Sequence, residues 1–104
     1  MQQGRLHVYD GLSPEEAGRP VEVLRELGAS SVVFTNAAGG LRPALTAGTV
    51  LAVGRVHLWP CVSWPDMPER FDTDYAVPGC DATGDYMWVH GPSYETRAEI
   101  AGLR

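Results

Sequence analysis

The chain is short and acidic, since its 104 residues carry a formal net charge of −5 at pH 7. A chain of this length forms at most one small domain and buries only about two-thirds of the surface that it exposes when unfolded. The charge argues against a nucleic-acid partner, which calls for a basic patch. Cys61 and Cys80 lack the paired spacing of a zinc site, and no signal peptide or long apolar segment is present. We therefore expect one domain, residues 1–104, in the reduced cytoplasm, without a metal or a membrane partner.

The N-terminal segment alternates between two sets of residues over positions 4–11. As a strand it would place Arg5, His7 and Tyr9 on one face. Two side chains that can carry positive charge would then flank one spot. The alternative is the solvated face of an edge strand.

A helix is predicted to follow this strand. Ser13 and Glu16 have the spacing of a capping box, and Pro14 stands at the first helical position. Pro20 predicts a kink or a restart, and Gly28 predicts the end of the helix.

The next apolar run, residues 32–34, predicts a buried strand that ends in a turn of small residues at positions 35–40. Strand, helix and strand together predict a parallel βαβ unit, whose ligands gather at the carboxyl ends of the strands. Backbone N–H groups in such a turn can hold an anion, or a flat ligand can approach the main chain there. Ordinary turn geometry is the alternative.

The remaining elements are less regular. Residues 49–59 predict a long or bent strand with a bulge at Gly54, residues 60–84 an irregular loop, and residues 85–90 the last strand. Ser93 predicts the N-cap of a last helix, with Glu95 in the first turn, where the helix dipole favours a carboxylate.

Three motifs in this order carry a family resemblance: Gly-Arg-Leu-His-Val-Tyr-Asp-Gly at residues 4–11, Thr-Asn-Ala-Ala-Gly-Gly at 35–40 and Gly-Pro-Ser-Tyr-Glu-Thr at 91–96. Together they resemble the trimeric purine nucleoside phosphorylase family, from residue 4 to residue 104. The resemblance implies a partial phosphorylase-type α/β fold, with a mixed twisted sheet flanked by helices. It also implies phosphate-dependent cleavage of purine nucleosides by a homotrimer, with inorganic phosphate as co-substrate and no cofactor.

The resemblance assigns a phosphate site to the first two motifs. It implies that Arg5 and His7 bind phosphate together with the backbone N–H of Ala37, while Ala38 and Gly39 line the base. A planar guanidinium suits phosphate oxygens. The alternatives are a solvated charge for Arg5 and a satisfied strand histidine for His7.

The resemblance assigns nucleoside contacts to four more side chains. Tyr9 is implied to lie against the ribose, Tyr94 to pack on the base, and Phe71 to enter the ribose site of a neighbouring subunit. Glu95 is implied to accept hydrogen bonds from a 6-oxopurine and to repel the bare N1 of adenine. The alternatives are core packing for Tyr9, helix packing for Tyr94, a loop anchor for Phe71 and an acid at the helix start for Glu95. No side chain is assigned a catalytic role, and His57 is treated as structural.

The chain also departs from the family pattern. Asp10 and Tyr94 replace a glutamate and a phenylalanine, and the segment between Phe71 and Tyr86 is shortened by roughly a helix. Because further phosphate, ribose and base segments of the family have no counterpart here, we expect an excerpt or a truncated product. Two alternatives stay open: a non-catalytic remnant that binds phosphate or purine weakly, and a methylthioadenosine phosphorylase, which the residues at 36–38 and 95 fit less well.

Overall fold

The computed structural model describes residues 4–59, 68–73 and 77–104. Contacts within the chain group it into two compact units, Met1–Ala38 and Gly39–Arg104, and each is described by itself. The regular elements are a short 3-10 helix at Val8–Asp10, helices α1 (Pro14–Glu26) and α2 (Arg97–Gly102), and strands β1 (Leu51–Leu58), β2 (Arg70–Asp72) and β3 (Ala82–Trp88).

Helix α1 begins at the predicted capping box. The backbone N–H of Glu16 donates to the Ser13 hydroxyl over 3.2 Å, and the Ser13 N–H donates to the Glu16 carboxylate over 2.8 Å. One helix continues through Pro20 without a restart and is followed by Gly28, whose φ is 93°. The predicted start and end of this helix are confirmed.

The two strands predicted in the first unit are wrong. Residues 4–11 belong to no strand, and residues 7–11 close a turn, in which the N–H of Asp10 donates to the His7 carbonyl and the N–H of Gly11 donates to the Val8 carbonyl, both over 3.1 Å. Residues 32–34 belong to no strand, and Phe34 is 76% exposed. The predicted βαβ unit therefore does not form among the described residues of this unit.

The second unit contains a mixed sheet with the strand order β2-β1-β3. Strand β1 pairs antiparallel with β2 and parallel with β3. The register between β1 and β3 shifts between Val53 and Arg55, which confirms the predicted bulge at Gly54. A Cβ atom at Gly54 would lie 3.1 Å from the Thr83 methyl group, so the bulge also needs a small residue. The predicted α/β class with a mixed sheet is confirmed.

The bounds of the later strands differ from the prediction. Strand β3 begins earlier, where Asp81 donates its N–H to the Val50 carbonyl and accepts the Val50 N–H on its carboxylate. Strand β2 lies within the predicted irregular loop, whose positions 60–67 and 74–76, with Cys61, fall outside the described residues. Ala52 on β1 is the buried hydrophobic residue among the described positions.

Helix α2 begins later than predicted. Thr96, not Ser93, is its N-cap: the Thr96 hydroxyl and backbone N–H each donate to the Glu99 carboxylate over 2.7 Å. These hydrogen bonds lower the pKa of Glu99. In the described part of the chain, no helix has the length and apolar character needed to cross a membrane.

Candidate phosphate and purine site

A hydrogen bond joins the first motif to the second. The Arg5 guanidinium donates to the Thr35 carbonyl over 2.5 Å, within the first unit. Thr35 is the first residue of the small-residue segment 35–40, so the cation is held at the start of a segment whose main chain is exposed. A guanidinium has five N–H donors in a planar fork, so this bond leaves further donors that can meet an anion.

His7 and Tyr9 are brought together, although the backbone between them is a turn and not a strand. Their rings are stacked, with centroids 4.6 Å apart and planes inclined by 10°. His7 is the N-cap of the 3-10 helix and keeps an extended backbone, with φ −120° and ψ 140°. His7 is half-buried and Tyr9 is 39% exposed.

Residues 35–40, predicted to form a turn, belong to no turn, helix or strand, so that prediction is wrong. This small-residue segment combines local hydrogen bonding with exposed main chain. The Asn36 side-chain amide donates to the Ala37 carbonyl over 3.1 Å, and Ala37 and Ala38 are both exposed. A Cβ atom at Gly39 would meet no described atom within 4 Å, whereas one at Gly40 would lie 3.0 Å from the Leu45 Cβ. A ligand can therefore approach the main chain at Gly39, and Gly40 is small because the chain packs closely there.

The other predicted site residues belong to the second unit. Glu95 is half-buried and precedes the N-cap Thr96, so its predicted place in the first turn of the helix is wrong. Tyr94 is 98% exposed and does not pack on a helix. Phe71 lies on strand β2, in register with Val56 of β1, and not in an irregular loop. Within the first unit the structure joins Arg5 to Thr35 and His7 to Tyr9. In the second unit Tyr94 and Glu95 are neighbours in the segment before α2, and Phe71 lies on β2.

The sheet carries a polar cluster that sequence reasoning missed. The Arg55 Nε lies 2.6 Å from a carboxylate oxygen of Asp72, and the His57 Nε2 lies 2.9 Å from one of Asp85. The hydrogen bond from His57 lowers the pKa of Asp85, and the charges of Arg55 and Arg42 act in the same direction. Residues two apart on a strand share a face, so the spacing of Arg55 and His57 was a usable signal.

Comparisons with known proteins give purine nucleoside phosphorylases among the relatives. The chain is 32% identical over 124 residues to "Purine nucleoside phosphorylase 1" of Bacillus subtilis (strain 168), covering 98% of this chain and 46% of that protein. It is 33% identical over 132 residues to "Purine nucleoside phosphorylase" of Rattus norvegicus, covering 100% and 45%. The protein of that name from Mycobacterium bovis is 35% identical over 113 residues, covering 97% and 42%. No family profile and no solved structure matches the chain.

These alignments also show how the chain differs in length from its relatives. The chain spans less than half the length of the curated relatives that it matches. The 124 positions aligned with the Bacillus protein hold 98% of 104 residues, about 102, so about 22 positions of that relative have no counterpart. The matched stretch is therefore shorter here than in this relative, by an amount comparable with one or two helices.

Proposed function

The chain is a partial chain of the purine nucleoside phosphorylase family, and we propose that it carries the phosphate and purine recognition segments of an enzyme that cleaves purine nucleosides with phosphate. In this reaction a phosphate oxygen bonds to the anomeric carbon of the ribose. The bond from that carbon to the purine breaks, and its electron pair goes to the base, which takes up a proton. The products are the free base and ribose 1-phosphate. Such a reaction needs an anion held beside a developing cationic sugar.

The observation that carries this proposal is the hydrogen bond from Arg5 to Thr35. It sets a permanent cation at the first residue of the small-residue segment 35–40, where an anion would meet both a guanidinium and backbone N–H groups. We propose that the phosphate binds there to Arg5, His7 and the N–H of Ala37. Arginine suits this role because its planar fork can meet two phosphate oxygens at once.

For the nucleoside, we propose contacts from both ends of the chain. Tyr9 would lie against the ribose, and the exposed main chain at Ala38 and Gly39 would line the base. Tyr94 would pack on the base, and the half-buried carboxylate of Glu95 would accept hydrogen bonds from the N1–H of a 6-oxopurine. A carboxylate only accepts hydrogen bonds, so it disfavours adenine, whose N1 is also an acceptor.

The wider setting belongs to the same proposal. The enzyme would act in purine salvage in the cytoplasm, with inorganic phosphate as co-substrate and no cofactor. A homotrimer would let Phe71 of one subunit reach the ribose site of the next. Phe71 is 38% exposed, which is consistent with such a contact.

A second candidate concerns the 104-residue chain on its own. The chain spans 42 to 46% of its relatives' length, and catalysis depends on reactants held in a nearly complete geometry. Binding of phosphate or purine without turnover is therefore the second candidate function.

The test is phosphate-dependent conversion of inosine to hypoxanthine by the purified chain, compared with Glu95→Gln and with Glu22→Gln. The control makes the same chemical change on helix α1, outside the proposed site. The phosphorylase proposal predicts turnover that needs phosphate, survives Glu22→Gln and falls at least tenfold in Glu95→Gln, about the value of one lost charged hydrogen bond. Phosphate binding without hypoxanthine release would favour the second candidate for this chain.

A further inference from the structure

The stack of His7 and Tyr9 does not follow from regular secondary structure. Residues two apart share a face in a strand, but in a 3-10 helix they point in different directions, because three residues complete a turn. His7 meets Tyr9 because it is the N-cap and keeps an extended backbone while Val8–Asp10 turn. The turn closes at Gly11, whose φ of 89° suits glycine. The local backbone is thus shaped in a way that lays one ring on the other.

The stack also restricts the His7 ring. A centroid separation of 4.6 Å with nearly parallel planes lies within the range of favourable offset stacking. Among the residues that the structure describes, no hydrogen bond joins either nitrogen of the His7 ring to another residue, and the stacking contact with Tyr9 restricts the plane of the ring. Because stacking covers a face of the imidazole, the nitrogens at its edge stay able to meet a ligand.

We propose that Tyr9 is a positioning residue that fixes the orientation of the His7 imidazole at the phosphate site. This inference rests on the proposed function and adds to it: Tyr9 would act on phosphate through His7, besides its own contact with the ribose. A histidine already held in one orientation loses less rotamer freedom when it binds an anion. The aromatic ring of Tyr9 provides this effect, and its hydroxyl does not.

The first arm of the test is nuclear magnetic resonance of the His7 ring protons in the chain without ligand. A ring stacked at this distance shifts those protons upfield from the values of an unfolded chain. The upfield shift should persist in Tyr9→Phe and disappear in Tyr9→Leu, while Tyr94→Leu, which removes a tyrosine 98% exposed, should leave it unchanged. His7→Gln assigns the resonances, and circular dichroism checks that each variant folds.

This arm decides the positioning role by itself. If the His7 ring protons of the folded parent chain have the chemical shifts of an unfolded chain, the positioning role is overturned before any variant is made. A folded Tyr9→Leu variant that keeps the upfield shift would overturn it as well. Loss of the shift in Tyr9→Leu with retention in Tyr9→Phe would establish that the ring of Tyr9 holds His7.

The second arm is a titration with inorganic phosphate, followed at the same protons. Tyr9→Leu should bind phosphate about threefold to tenfold more weakly than the parent chain, the range expected when one side chain must be ordered on binding. Tyr9→Phe should restore the affinity to within twofold. Phosphate that moves no His7 resonance in the parent chain would instead contradict the proposed phosphate site, while the first arm still reports on the stack.

Discussion

Arg5 and Thr35 are 30 positions apart in the sequence, and the guanidinium of Arg5 donates a 2.5 Å hydrogen bond to the Thr35 carbonyl. The bond satisfies the carbonyl of the first residue in the small-residue segment 35–40 with a charged donor. It also limits the directions that the long arginine side chain can take. The same group therefore ties two motifs of the first unit together and presents a cation where an anion is proposed to bind.

Arg5→Lys is predicted to weaken phosphate binding at least tenfold, although the positive charge is kept. Lysine is a point charge without a planar fork, so it cannot hold the Thr35 carbonyl and meet two phosphate oxygens with fixed geometry. Isothermal titration with inorganic phosphate measures the loss. Arg25→Lys makes the same exchange in the last turn of α1 and should leave the affinity unchanged. Equal affinities for Arg5→Lys and the parent chain would remove Arg5 from the site.

Gly18→Ala is predicted to stabilise the chain by about 0.5–1 kcal/mol, because glycine in a helix interior costs about that much relative to alanine. Gly18 lies within α1, and a Cβ atom added there would meet no described atom within 4 Å. Gly28→Ala is the contrasting variant: its φ is 93°, so alanine should destabilise by about 1–2 kcal/mol. Urea unfolding followed by circular dichroism measures both, and the same sign for the two variants would contradict this account.

Ser13→Ala is predicted to lower the free energy of unfolding by about 1 kcal/mol, as typical for loss of an N-cap. The hydroxyl of Ser13 accepts the backbone N–H of Glu16, and alanine leaves that donor without its partner. Ser30→Ala removes an exposed hydroxyl outside the helices and serves as the control. Unfolding midpoints that move equally in the two variants would show that the cap does not stabilise α1.

The features that sequence reasoning predicted correctly are those fixed by neighbours along the chain. The capping box of Ser13 and Glu16 needs only four residues in the right order, and the bulge at Gly54 follows from one glycine within an apolar run. The signal for the start of α2 also lies within four residues, because Thr96 and Glu99 have capping-box spacing. Ser93 lacks this signal, because the residue three positions later is a threonine and not a glutamate or glutamine. Ser93 follows Gly-Pro, which is a weaker signal for a helix start than the capping pair of Thr96 and Glu99.

The features that sequence reasoning did not predict depend on partners far away in the sequence. Alternation at residues 4–11 predicts a strand only if another strand pairs with it, and here the local hydrogen bonds of Asp10 and Gly11 close a turn instead. The apolar residues 32–34 likewise pair with none of the described strands. Strand β2 is a feature that sequence reasoning did not predict. Its three residues form a strand because they pair with the edge of β1, and nothing in Arg70–Asp72 alone indicates that pairing.

Asp85→Asn is predicted to make the stability of the chain less sensitive to acid. The hydrogen bond from His57 holds the pKa of Asp85 below its usual value, which is about 3.9 in an unfolded chain. The folded state therefore binds this proton less readily than the unfolded state does. The stabilisation is fully present above about pH 5. It is lost as the pH falls through the pKa of Asp85 in the unfolded chain towards its lower pKa in the folded chain.

Urea midpoints between pH 6 and pH 3 test this linkage. The parent chain should lose stability as the pH falls below about 5, whereas Asp85→Asn should start less stable at pH 6 and decline with a shallower slope. His57→Leu removes the donor and should flatten the slope in the same way. In the double variant the two effects should not add, because both changes break one interaction that joins β1 to β3. Additive effects, or an acid slope that Asp85→Asn leaves intact, would mean that His57 is not what lowers the pKa of this carboxylate.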